Sequence, residues 1–398
     1  MNVSPEYSET TMWLQACQQA LINRDGKALS QCFDVAKCRF APDDALLPHL
    51  SVPEGGESFA QCVRLLFVAM RDMQQSRLEQ AVDNMLQSVM KCFEFYETTP
   101  YDRMVLPVLV RLTVSALRVA KQADLQYTSA LYEYVSVYIN RLREKLGRLP
   151  FPSKRAGHQL LLAQIMKSTL MTSTSASQIV RAEDQAGRLS SREGVPKGIA
   201  VQCAYFLAKS FAWQGMHTDA LNHLLYAWRT CHKDHRKNLQ SILMLLVPLQ
   251  ARQGLLPARG LLDRYGLPLL EQLVCAVRKG NIRSFDALCD ELDASCLGSG
   301  TYLLINNLRR LMHKTLCQRV YMYHLGEVAK APPNTLSAKI LPIGLFTAAF
   351  KWQVEAQGEE WGDAETCSTL QSLMSDSLMR GYISYERDKV VIPSQPFP

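Results

Sequence analysis

Residues 381–392 read GYISYERDKVVI, and the fold turns on them. The pattern predicts short strands over 382–386 and 389–392, with Arg387 and Asp388 as the turn between them. No other stretch carries a comparable strand signal. Immediately upstream, 364–380 spaces Leu370, Leu373, Met374 and Leu378 as one helical stripe, and Gly381 suits a left-handed helix cap. Shorter helices are expected at 335–341 and 346–354. A longer amphipathic helix is expected at about 301–324, with the loop Ala331-Pro332-Pro333-Asn334 after it. Helices followed by a hairpin is the order of a winged helix, whose hairpin forms the wing.

Towards the N-terminus the dominant signal is helical periodicity in paired segments. Val63, Phe67, Met70 and Met73 draw one apolar stripe; after a polar break at 74–76, Leu78, Val82, Met85, Val89 and Phe93 draw another. A second pair runs through Leu109, Leu112 and Leu117, then Leu131, Tyr134, Tyr138, Leu142 and Leu146, until Gly147 and the prolines at 150–152 break it. A helical hairpin cannot bury such a stripe alone, so neighbours must stack. Gly215, Ala220 and Ala227 resemble the small-residue pattern of a tetratricopeptide (TPR) unit, where helices cross closely. The expected class is therefore all-α, an α-solenoid of TPR-like helical hairpins with a C-terminal winged-helix domain carrying a small β-hairpin. The expected divisions are a helical-repeat region at 1–200, a TPR-like part at 201–300 and a winged-helix part at 301–398.

Composition narrows the function classes. Hydrophobic residues make up 47% of the 398, enough for a sizeable core, and the net charge is +7. The longest apolar run, 242–249, is far short of the roughly 20 residues that cross a bilayer. With no signal-peptide pattern either, a chain neither secreted nor membrane-spanning is expected. The cysteines are scattered without C-x-x-C spacing, and Cys62, Cys92, Cys203 and Cys275 sit among apolar neighbours, as reduced core cysteines do. Cys231, His232 and His235 lack a fourth ligand, so no metal is expected. Phosphate-binding loops, nucleophile elbows and metalloprotease motifs are absent, and the histidines do not cluster with carboxylates. Neither an enzyme nor a cofactor is expected, although a hydrolase or transferase with an unfamiliar helical site stays open.

The order of helical stack and winged helix resembles the PCI domain of the proteasome lid, the signalosome and a translation initiation factor. Within that family the likeness runs to the PCI subunit of the nuclear transcription-export complex, which delivers mRNA to nuclear pores. It rests on Asn23-Arg24-Asp25-Gly26, on the run Ile242-Leu243-Met244-Leu245-Leu246-Val247-Pro248, and on Gly254 and Pro257. Further on it rests on Leu261-Leu262-x-x-Tyr265, Ala276-Val277-x-x-Gly280-Asn281, Gly381-Tyr382-Ile383-Ser384, Val390-Val391 and the closing Pro396-Phe397-Pro398. It covers 200–398 well and 1–200 thinly. Ser377 departs from a glycine usual in the family, and 354–363 looks like a longer loop.

The resemblance implies a non-catalytic adaptor in a heterotrimer. The partners it implies are a larger scaffold protein with a PCI-like region, a small acidic disordered protein, nuclear-pore-associated factors, and the backbone of RNA or DNA. The implied location is nuclear and pore-associated, with some of the protein in the cytoplasm. The alternative is a purely structural PCI scaffold subunit of a proteasome-lid-like or signalosome-like complex.

Charge placement nominates the sites. Arg309, Arg310, Lys314 and Arg319 fall within a few turns of one helix, with no acid between Asp293 and Glu327. Together with Arg380, Arg387 and Lys389 around the wing they are the candidate phosphate contacts; a solvated helix face is the competing reading. Lys233, Arg236 and Lys237 either receive the acidic partner or keep a connecting loop soluble. Tyr382 and Tyr385 are candidate partner or base contacts, and three-residue spacing in a strand would send one of them inward. Arg141, Arg143, Lys145, Arg148, Lys154 and Arg155 face a single acid, Glu144, and form a further basic cluster.

Overall fold

The computed structural model describes residues 5–34, 56–127, 130–149, 154–172, 176–189, 194–299, 301–332, 337–354 and 360–397. The expected features at 150–152, 333–336 and 355–359, and Pro398, lie outside these. Two compact units divide at residue 230, Met1–Thr230 and Cys231–Pro398.

The N-terminal unit is a stack of helical hairpins: α1 Pro5–Ile22, α2 Gly26–Cys32, α3 Glu57–Gln74, α4 Leu78–Thr98, α5 Asp102–Tyr127, α6 Leu131–Gly147, α7 Arg155–Thr172, α8 Ala176–Gln185, α9 Lys197–Trp213 and α10 His217–Thr230. The stripes of α3 and α4 pack against each other, with Val63, Phe67, Val82, Met85, Val89 and Phe93 all buried. Aromatic contacts tie α1 to α3, with Trp13 4.9 Å from Phe67, and α3 to α4, with Phe59 5.3 Å from Phe95, ring centre to ring centre. In α6 the seam is shifted from the expected one: Val135, Ile139, Leu142 and Leu146 face inward, whereas Tyr134 is 53% exposed. Its polar hydroxyl end made Tyr134 ambiguous on periodicity alone. Ala220 and Ala227 are fully buried, giving the close α9–α10 crossing their size predicts.

The basic run 141–155 is divided by burial: Arg141, Lys145 and Arg148 are exposed, whereas Arg143 and Lys154 are not. Arg143 is buried with Glu183 of α8, its Nη1 donating to Oε1, and Arg188 Nε donates to Glu183 Oε2 at 2.9 Å. Lys154 is buried too, donating to the Tyr96 and Thr99 carbonyls and to Asp102. Lys145 reaches Glu97 at 2.8 Å. Their acids lie some forty to fifty residues away, out of reach of any local reading of charge.

The C-terminal unit runs α11 Arg236–Ala251, α12 Leu261–Arg264, α13 Pro268–Lys279, α14 Ile282–Ser299, α15 Tyr302–Asn306, α16 Leu308–Lys330, β1 Ile340–Pro342, α17 Ile343–Val354, α18 Asp363–Ser375, β2 Tyr382–Ser384 and β3 Lys389–Val391. From α16 onward this is a winged helix. Its sheet has the order β1-β3-β2, all antiparallel, with Leu341 and Ile383 both paired to Val390. Strand β1 occupies the end of the segment expected to be a helix at 335–341; three residues are too few to show a period, and only β3 gives them a ladder.

Two further boundaries move. Helix α18 stops at Ser375, and the left-handed residue after it is Ser377, φ 58°, where a glycine would sit without strain. Gly381 does not cap that helix. At φ 149° it lets β2 start where a Cβ would stand 2.5 Å from the Val391 carbonyl oxygen. The core of this unit gathers Leu341, Phe346, Phe350, Leu370, Leu373 and Val390, and Trp361 stacks on Phe350 at 5.1 Å. No described helix is long and apolar enough to cross a membrane.

Candidate nucleic-acid interface

The site is built on α16, which lies against α13, α14, α17 and α18 through Leu308, Met312, Leu316, Cys317, Val320 and His324. Its N-terminal half is held by an unusually close contact. Gly280 ends α13 at φ 63°, its N–H donating to the Val277 carbonyl, and Asn281 N–H donates to the Ala276 carbonyl at 3.0 Å. Asn281 Oδ1 then accepts from Ser284 N–H at 3.0 Å and caps α14. A Cβ on Gly280 would lie 2.8 Å from the backbone nitrogen of Leu316, so only glycine lets α13 and α16 meet here.

The four basic residues of α16 do not act as one surface. Arg309 reaches Asp286 of α14 at 2.5 Å, while its neighbour Arg310 reaches Asp376, just past α18, at 2.6 Å. Lys314 stands one turn beyond Arg310 on the same face and is partly buried; desolvation lowers its pKa. Arg319 is exposed farther along the helix. Arg310 also borders a small polar cleft of about 150 Å³ shared with Arg252, Asn307, Leu311, Asp376 and Leu378. Arg252 follows the end of α11 in an exposed position. Nothing local singled it out, because it joins Arg310 only through the packing of the unit.

Around the wing, Arg387 closes a short 3-10 turn over Tyr385–Arg387, and Asp388 takes the left-handed conformation at φ 48°. Lys389 points outward from β3, on the same sheet face as Tyr382. Arg380 lies on the exposed link before β2, not at the end of a helix, its N–H donating to the Pro396 carbonyl at 2.7 Å. Neither tyrosine is core: Tyr382 is 61% and Tyr385 57% exposed. The alternation argument fails because β2 ends at Ser384 and Tyr385 belongs to the turn, where it accepts a hydrogen bond from Gln371 of α18 at 2.5 Å.

Helix α18 itself, DAETCSTLQSLMS, contains Asp363 and Glu365 but neither lysine nor arginine. Laid in a DNA groove it would face phosphates with negative charge. Any electrostatic grip therefore belongs to α16, Arg252 and the wing. Lys233, Arg236 and Lys237 are all exposed, the latter two in the first turn of α11, which holds no acid. Cations at a helix N-terminus oppose the helix dipole, so helix stability does not account for them. No group of three potential metal ligands occurs among the described residues.

No family model matches the chain. It is similar to the PCI domain-containing protein 2 homolog of Dictyostelium discoideum, 28% identical over 52% of this chain and 44% of that protein. PCI domain-containing protein 2 of Xenopus laevis is 22% identical over 97% of this chain and 96% of its own. The Protein CSN12 homolog of Gibberella zeae is 26% identical over 52% of this chain and 46% of its own. The chain thus spans about half the length of the amoebal and fungal relatives in these matches, and nearly all of the frog protein. Likeness to PCI domain-containing protein 2 homologues across eukaryotes agrees with a helical stack that ends in a winged helix.

Proposed function

We propose that the chain is a non-catalytic adaptor subunit of a nuclear, transcription-coupled mRNA-export complex, associated with nuclear pores and in part cytoplasmic. In this reading it holds a larger scaffold with a PCI-like region and a small acidic disordered protein, the latter at Lys233, Arg236 and Lys237. Its winged helix adds a basic surface to a grip on nucleic-acid backbone. The observation that carries the reading is the meeting of Arg310 and Arg252 at one polar cleft by the start of α16, with Lys314 one turn beyond Arg310. Phosphate contacts there position a strand without reading its sequence.

The test replaces Arg309, Arg310 and Lys314 together by alanine in the assembled complex. Nucleic-acid affinity should fall about tenfold or more at physiological salt, and the slope of log affinity against log salt should drop by about 2. Partner binding should survive. Unchanged affinity and slope remove these residues from the site.

A second reading is a structural PCI subunit of a proteasome-lid-like or signalosome-like complex. It is favoured by the ion pairs that hold Arg309 and Arg310 and by the acidic α18. Under it, no salt-dependent nucleic-acid binding appears, and purification of the tagged protein recovers lid or signalosome subunits instead of export factors.

A further inference from the structure

A groove of about 1320 Å³ opens wholly within the N-terminal unit. One face of α5 borders it: Pro107, Val110 and Val114, at spacings of three and four, project the same way and are each half-buried. Val195 and Ile199, leading into α9, extend the apolar border. Pro107 has no N–H to donate to the Arg103 carbonyl one turn back. Helix α2 comes so close there that a Cβ on Gly26 would stand 2.6 Å from that oxygen.

The charge of the lining is one-sided. It contains Arg24, Arg103 and Arg111, and its acid, Asp102, is neutralised by buried Lys154. Arg103 is exposed, with no ionic partner among the described residues. Arg111 pairs with Asp34 at 3.2 Å yet keeps about a third of its side chain exposed.

We propose that this groove receives an amphipathic helical segment of a partner protein, apolar on one face and carrying Asp or Glu beside that face. Its volume exceeds the roughly 300–1,000 Å³ of small-molecule pockets. A stripe at helical spacing offers an incoming helix a matching ridge, and the unbalanced arginines favour an acidic border. A nucleic-acid strand fits less well. Bases stack on aromatic rings, and Tyr101, the aromatic residue of the lining, is already covered by the Arg24 guanidinium at 4.4 Å. The proposal is independent of the winged helix and of the export assignment.

The test is selection of displayed random peptides of about 16 residues, some 24 Å as a helix, on the full chain. Enriched peptides are then synthesised with a fluorophore and titrated by anisotropy. The expected peptides share apolar residues at i, i+3 or i+4, and i+7 with flanking acids. Their affinity should fall about tenfold with Arg103→Glu and be lost with Val110→Asp, and Lys233→Glu should bind like the parent. Because Arg103 is exposed, its variant decides the matter if Val110→Asp fails to fold. Four outcomes overturn the proposal: no enrichment, enrichment of basic peptides, affinity indifferent to Arg103→Glu, or peptides absent while a labelled U-rich oligonucleotide binds and is weakened by it. Self-association of the chain that Val110→Asp abolishes would be a fifth, assigning the groove to a second copy instead.

Discussion

Arg143 in the N-terminal unit and Arg310 in the C-terminal unit each meet a carboxylate, but under opposite conditions. The side chain of Arg143 is 3% exposed and its partner Glu183 fully buried; that of Arg310 is 60% exposed and its partner Asp376 32%. Both buried groups have already given up their hydration, so removing Glu183 leaves Arg143 with only the half-exposed Glu144 at 3.4 Å. The surface pair sits in water, gains little from its contact, and gives it up cheaply. Clusters that look alike in sequence thus divide into a charge that is architecture and a charge that stays in contact with water.

The sharpest way to break this contrast is Glu183→Ala. It leaves Arg143 buried without its buried partner and should destabilise the N-terminal unit by about 3–5 kcal/mol. A melting temperature equal to the parent's would show that the cluster is not buried in solution. Next in size is Gly280→Ala, where the left-handed backbone alone costs about 1–3 kcal/mol and the approach to Leu316 adds to it. That loss should appear in the C-terminal unit only, which proteolysis of the two units can resolve.

A pH series sharpens the comparison further. Burial first, then the charges of Arg143 and Arg188, push the His158 pKa down to about 3. The unfolded chain takes up a proton near pH 6.5 that the folded state refuses. The stabilisation is therefore complete above pH 6.5 and is lost as pH falls towards 3, by up to about 1.4 kcal/mol per pH unit. His158→Gln should flatten the dependence between those limits, as read by chemical denaturation at pH 7, 6 and 5. A slope as steep as the parent's would mean that His158 is not the group responsible. The smallest effect is expected from Arg310→Ala, within about 1 kcal/mol of the parent in stability. A large stability loss there would place Arg310 with Arg143 instead.

Much of the fold was legible because helical periodicity is local. Each stripe of α3 and α4 could be read within its own segment and is buried as expected. The glycines of the motifs carried real constraints, Gly280 above all, but the atoms they avoid come from other elements and appear in no motif. Strand β1 was misread as helix because its ladder partner lies some fifty residues on. The candidate site was legible as a charge count and no further. Sequence named Arg309, Arg310, Lys314 and the wing residues, but not Asp286 and Asp376 that hold two of them, nor Arg252 that joins them.

By itself, then, the sequence determined the helical hairpins, the winged-helix order and the residue types available to a partner, because period, turn chemistry and composition act over a few neighbours. Tertiary structure decided which arginines reach water, where the apolar face of α5 borders a groove, and which residue completes the Arg310 cleft. Those outcomes depend on burial and on charges brought together from distant positions, and a chain read in one dimension contains neither.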